Sequence, residues 1–139
     1  MKNGDRLGAL IAQAHQKMKN DLTRKLEPFQ VTTEQWIVLN KLWGRDGVSQ
    51  KELSERCHKD QPTTARILDK LEQKGFVRRQ THPVDKRAFS IFLTEEGRDT
   101  EKDLGDIAQK NLDLALKGIS AEEHEQLKVL LKKIIQNME

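Results

Sequence analysis

A chain of 139 residues fits one structural unit, or one module with a short attachment, because single cores typically run ~100–200 residues; a multi-domain enzyme is not expected. With 35% hydrophobic and 34% charged residues, the apolar surface should lie in stripes on amphipathic helices, an arrangement often completed by pairing with a second copy. The net charge is only +3, but between residues 61 and 92 seven basic residues (Arg66, Lys70, Lys74, Arg78, Arg79, Lys86, Arg87) face three acidic ones (Asp69, Glu72, Asp85), a local +4 that leaves −1 for the rest. Such a patch is the footprint expected for phosphate contact, with a merely solvated charged face as the alternative.

The longest apolar run, Trp36-Ile37-Val38-Leu39, falls far short of the ~20 residues that cross a bilayer, and residues 1–5 are not followed by an apolar signal region. No membrane partner is expected, and a cytoplasmic location fits the lone Cys57, which cannot form an intrachain disulfide.

In chain order, residues 5–26 place Leu7, Leu10, Ile11, Ala14, Met18, Leu22 and Leu26 three or four apart, predicting a long helix with one apolar side that Pro28 ends. Thr32 with Gln35 matches a capping box ahead of Trp36, Ile37, Val38, Leu39, Leu42 and Trp43, a second and well-buried helix that stops before Gly44 and Gly47. Ser49 and Glu52 form another capping box, opening a short helix to about His58. After a turn at Lys59-Asp60, Asp60 is a good N-cap and Pro62 is tolerated in the first turn; this helix runs to Gly75, which suits a left-handed stop.

Beyond Gly75 the period changes to two. Residues 76–82 and 87–93 read as strands, with Val77 on the first and Phe89, Ile91 and Leu93 on the second, joined by a tip at Pro83-Val84-Asp85-Lys86. Thr94-Glu95-Glu96 then opens a helix expected to reach about Lys117, where Gly118 breaks the chain. Ser120-Ala121-Glu122-Glu123 caps a last helix carrying Leu127, Leu130, Leu131, Ile134, Ile135 and Met138.

The fold class is therefore mainly α, with a small β part (α+β). Two short helices joined by a tight turn, the second ending at a glycine and feeding a hairpin, describe a winged helix-turn-helix. Residues 32–93 would form it, within a single unit of residues 1–139, flanked by helices in residues 1–31 and 94–139.

A helix that enters the major groove buries one side and presents short polar and basic side chains on the other. Between Gln61 and Gly75, Ala65, Leu68 and Leu71 fit the inner side, while Gln61, Thr63, Thr64, Arg66 and Lys70 are the candidates to read DNA; the two threonines have capping or padding as their alternative role. Lys86 and Arg87 at the hairpin tip suit the electronegative minor groove, with Asp85 either orienting the Arg87 guanidinium or serving as an ordinary turn residue. Ser49, Gln50 and Lys51 are candidate contacts to the DNA backbone.

The segments Val48-Ser49-Gln50-Lys51-Glu52-Leu53, Pro62-Thr63-Thr64-Ala65-Arg66-Ile67-Leu68-Asp69-Lys70-Leu71-Glu72-Gln73-Lys74-Gly75-Phe76-Val77, Asp85-Lys86-Arg87-Ala88 and Leu93-Thr94-Glu95-Glu96-Gly97 together resemble the MarR family of bacterial transcription regulators over nearly the whole chain. The family's wing pattern of Asp, any residue, Arg falls on Asp85-Lys86-Arg87. The resemblance implies a homodimeric repressor whose end helices interlock, bound to a pseudo-palindromic double-stranded DNA operator and released by a small aromatic or lipophilic effector, by thiol oxidation or by metal. It points to an effector pocket between the dimer helices and the winged module, where His15, Met18, Trp36 and Trp43 could line it, although Trp36, at the start of an apolar helix, reads more readily as core.

Cys57 beside Arg56 is a weaker candidate for oxidant sensing than for core filling. His15, His58, His82 and His124 show no metal-ligand spacing, and no catalytic set or phosphate-cradling loop stands out, so neither metal, cofactor nor enzymatic activity is expected. The reading from another class is a winged-helix protein-interaction module that does not read bases.

Overall fold

The computed structural model describes residues 6–81, 84–85 and 88–139. Helix α1 (Leu7–Leu26) is followed by a short 3-10 turn at Glu27–Phe29, so Pro28 sits inside the turn that closes the helix. The winged module comprises α2 (Thr33–Gly44), β1 (Val48–Ser49), α3 (Gln50–Arg56), α4 (Gln61–Gln73), β2 (Val77–Thr81) and β3 (Phe89–Leu93). The predicted long helix is divided at Thr100 into α5 (Glu95–Asp99) and α6 (Glu101–Ala115), and α7 (Ala121–Asn137) ends the chain.

Local chemistry accounts for most of these boundaries. Thr32 and Gln35 form a complete capping box, as do Ser120 and Glu123, while Asp60 and Thr94 each accept a backbone N–H from the first turn of α4 and α5. At Ser49 only half of the expected box forms: its hydroxyl accepts from the Glu52 N–H at 3.1 Å, but the Glu52 carboxylate turns to Arg45 at 2.5 Å and Arg56 at 3.1 Å. Gly75 ends α4 with φ +81°, and the Phe76 N–H reaches the Leu71 carbonyl at 3.0 Å, as in a Schellman stop. His58 takes the corresponding left-handed position after α3 at φ 54°, unusual for a residue with a Cβ, and the Lys59 N–H closes the turn on the Ser54 carbonyl at 3.0 Å.

The sheet is three-stranded, in the order β1-β3-β2 and antiparallel throughout. Its shortest member, β1, has no periodic signal of its own; it is created by Val48 pairing with Ile91 and Ser49 with Ser90. The core lies between this sheet and α2, α3 and α4, with Leu39, Leu42, Leu53, Leu68, Leu71 and Ile91 at 1% exposure or less. Leu26 and Leu104 extend it to α1 and α6.

Outside the module, α6 packs along α1, where buried Asn111 donates to the Met18 carbonyl at 3.0 Å and to Asp21 at 2.9 Å. The Asn111 bond, followed by one from Lys25 at 2.6 Å, holds the Asp21 carboxyl below the ordinary carboxylate range. Helix α7 buries none of its residues; Leu127, Leu130, Leu131, Ile134 and Ile135 are all exposed on it, as is Met138 just after it.

Candidate nucleic-acid interface

Helix α4 is seated on one side and open on the other. Thr64, Ile67, Leu68 and Leu71 are buried, Gln61, Arg66 and Lys70 are exposed, and Thr63 is half-buried. At roughly 100° per residue, Arg66 lies nearly opposite the buried stripe. The inner side thus includes Ile67 and, contrary to the sequence expectation, Thr64 instead of Ala65, which sits at the flank.

Thr64 faces the core in this arrangement, where the sequence had placed it on the outer side. It is 0% exposed, and its hydroxyl donates to the Asp60 carbonyl one turn back at 2.9 Å, which satisfies the polar atom within the helix. Asp60 in turn accepts from the Thr63 N–H at 2.7 Å, and hydrogen bonding from Thr63, side chain and backbone, holds the Asp60 carboxyl below its usual range. Thr64→Val should therefore leave the preferred DNA sequence unchanged in a selection from random duplexes, with a stability change within about 1.5 kcal/mol. A different selected site would return Thr64 to the readout.

The basic patch is smaller than the sequence count implies. Lys74 stays exposed but is engaged by the protein, donating to the Gln30 carbonyl and to Gln35 at 2.9 Å, and partial burial pushes its pKa down. Arg79 is also engaged by the protein, with Asp69 at 2.5 Å. Arg78 stacks over the Phe92 ring at 4.6 Å and donates to Gln80 at 3.1 Å while staying exposed. The cations left on the outer surface of the described module include Arg66, Lys70, Arg78 and Lys51.

The hairpin arm beside α4 pairs Val77 with Leu93 through Thr81 with Phe89. Asp85 is exposed, and its carbonyl accepts from the Ala88 N–H at 3.0 Å. Lys86 and Arg87, assigned to the wing from sequence, lie outside the described residues, as does His82. Of the candidate backbone contacts, Lys51 is exposed and Gln50 half-buried, while Ser49 is exposed with its hydroxyl already serving as the cap of α3.

Between the module and the end helices lies a cavity of about 670 Å³. His15 and Met18 from α1, Trp36 and Trp43 from α2, Lys59 from the helix-turn-helix turn and Glu101 from α6 all line it, so the structure brings the four sequence candidates together. Trp43 donates its indole N–H to the Gly97 carbonyl at 3.0 Å, whereas the Trp36 indole nitrogen is buried without a partner among the described residues. Lys59 was missed by sequence reasoning, because its place on the cavity wall depends on the left-handed turn at His58.

Cys57 is 7% exposed and belongs to the core; burial raises its pKa, and the neighbouring Arg56 pairs with Glu52. A thiol held protonated in this way is a poor nucleophile. Among the described residues no group of three or more His, Cys, Asp or Glu side chains could hold a metal ion, and no helix is long and apolar enough to cross a membrane.

A helix-turn-helix seat, an outward helix side carrying Gln61, Arg66 and Lys70, and an adjoining β-arm define a winged-helix protein of the DNA-binding class. The family model described as the MarR family matches residues 31–89. A cysteine-to-serine mutant of MarR from E. coli, solved in complex with operator DNA, is 31% identical, with 92% of each chain covered and a TM-score of 0.85. The MepR–DNA complex from S. aureus is 28% identical over 94% of this chain and 97% of that one, with a TM-score of 0.88. A MarR transcriptional regulator from Methanosarcina mazei Go1 is 28% identical over 96% of both chains, with a TM-score of 0.85. The chain belongs to the MarR family of transcription regulators and is a DNA-binding regulator.

Proposed function

We propose that this protein acts in the cytoplasm as a homodimeric repressor of a pseudo-palindromic operator, with α4 reading bases in the major groove and the β2–β3 arm anchoring on the backbone or minor groove. The observation that carries the reading is the outer side of α4, where Gln61, Arg66 and Lys70 are exposed on a helix whose other side is fixed in the core. Arginine grips guanine in a bidentate pair and glutamine pairs similarly with adenine, so this side has the chemistry for direct readout. Thr63 at the helix start, Lys51 on α3, and Asp85, Lys86 and Arg87 at the wing complete the proposed contact set.

Two copies are needed to place two such helices on one side of the duplex, about 34–36 Å apart. The apolar surfaces left open on α1 and α7 support residues 1–31 and 94–139 as the dimerisation part, with residues 32–93 as the reading module. The cavity between these parts supports release by a small aromatic or lipophilic effector, since two tryptophans offer flat apolar walls beside the turn that leads into α4.

The test is binding to the DNA upstream of the protein's own gene, compared with scrambled duplex, over a salt titration. Specific binding should exceed the scrambled control by ~10³ or more. Arg66→Ala should relax the preference at one position and cost about 1–3 kcal/mol, while Arg87→Ala should weaken all duplexes and flatten the salt dependence. Equal affinity for both duplexes would instead favour a protein-interaction module.

A further inference from the structure

The inner side of β2 carries a charge where strand alternation calls for an apolar residue. Val77, Arg79 and Thr81 share that side with Leu93, Ile91 and Phe89, and Arg79 stands directly opposite Ile91, which is 0% exposed. The Arg79 side chain is 17% exposed, and its guanidinium leaves the sheet toward α4. There Nη1 donates to Asp69 at 2.5 Å and to Glu72 at 3.5 Å, and Nη2 donates to the Ala65 carbonyl at 2.8 Å. Glu72 also accepts the backbone N–H of Arg79 at 3.2 Å. One residue of the arm is thus tied to about two turns of the reading helix.

Stability alone does not explain the choice of arginine. Its Nε is buried without a partner among the described residues, and an apolar side chain of similar volume often does as well or better at a covered position. What an apolar residue would not supply is direction: a planar fork with several fixed donors locks the relative orientation of the elements it joins.

We propose that Arg79 is a positioning residue that sets the angle between the hairpin arm and α4, so that helix and arm meet the duplex together. The inference rests on the reading of α4 and the arm as the DNA-contacting elements. It also assigns Asp69 and Glu72 a role that a DNA-facing helix otherwise disfavours, because they are the acceptors that hold the arm.

The test compares Arg79→Met, Arg79→Lys and Asp69→Ala with the unaltered protein, in amide exchange without DNA and in operator binding. In Arg79→Met, exchange should quicken in β2 and β3 while α2 and α6 stay unchanged, and operator affinity should fall about tenfold. Arg79→Lys should not restore it, since one ammonium cannot span the three acceptors. Asp69→Ala should also weaken binding, even though it removes a negative charge near the phosphates and installs a better helix former. Tighter or unchanged binding by Asp69→Ala would reduce Arg79 to a charge mask and overturn its positioning role, as would wild-type exchange and affinity in Arg79→Met. Arg66→Ala separates the layers: if it too leaves specific binding intact, the DNA-reading assignment has failed, whereas a loss confined to Arg66→Ala overturns the brace alone.

Discussion

Gly97→Ala is expected to destabilise the protein by about 3 kcal/mol or more and to lower its melting temperature by roughly 10 °C, beyond the usual ~1–3 kcal/mol of overpacking. The added Cβ would lie 2.1 Å from the Phe76 carbonyl oxygen, 3.0 Å from its carbon and 3.2 Å from a Leu93 methyl. The obstacle is backbone held in place, since the Phe76 carbonyl accepts the Thr94 N–H at 3.0 Å and the Thr94 hydroxyl donates to Gly75 at 2.5 Å. Gly97 is pinned as well: its N–H donates to the Thr94 hydroxyl at 3.0 Å, and its carbonyl accepts from Trp43 at 3.0 Å and Thr100 at 2.6 Å. Relief in any direction breaks several of these bonds. Gly105→Ala, with nothing within 4 Å of the new methyl, is the control in a helix interior and should be neutral or stabilising. Chemical denaturation of both variants checks the prediction, and a loss below about 1 kcal/mol in Gly97→Ala would mean that the joint yields.

The second large effect concerns assembly. Leu131 and Ile134 on α7 are 38% and 37% exposed in the single chain, so replacing both with Glu should hardly matter if the chain works alone. In a two-fold dimer each substitution occurs twice, and each buried aliphatic side chain is worth about 1.5–3 kcal/mol. The double variant should sediment as a monomer, melt at a lower temperature and lose ~10³-fold or more in operator affinity, approaching non-specific binding. A variant that keeps the mass and melting point of the unaltered protein would remove α7 from the interface.

Most of the architecture is legible in the sequence because short-range chemistry marks it. The capping pairs Thr32 with Gln35 and Ser120 with Glu123, the caps Asp60 and Thr94, and the stop at Gly75 each act over three or four residues, and each boundary appears within a residue or two of its expected place. What was not legible depends on partners far along the chain. Strand β1 exists only because Val48 meets Ile91, and Glu52 deserts its own cap for Arg45 and Arg56. Thr64 was misplaced for a different reason: its hydroxyl suggested solvent or DNA, yet the spacing from Thr64 to Leu68 to Leu71 already put it on the apolar side, and the bond to Asp60 removes the cost of burying it. The basic patch shows the same limit, since a charge count cannot tell Arg66, on the outer side of α4, from Arg79, drawn inward, or from Lys74, engaged by Gln35.

The two tryptophans have a consequence for observing the molecule in solution. The chain contains no tyrosine, and Trp36 and Trp43 both stand on the wall of the cavity described between the end helices and the winged module. Its ultraviolet fluorescence therefore originates from that wall alone. Trp43 is fastened to the strand–helix joint through Gly97, whereas the Trp36 N–H is buried without a partner among the described residues, so the two fluorophores sit in different surroundings. Single Trp→Phe variants separate these signals and give the protein an optical readout of occupancy without any attached dye.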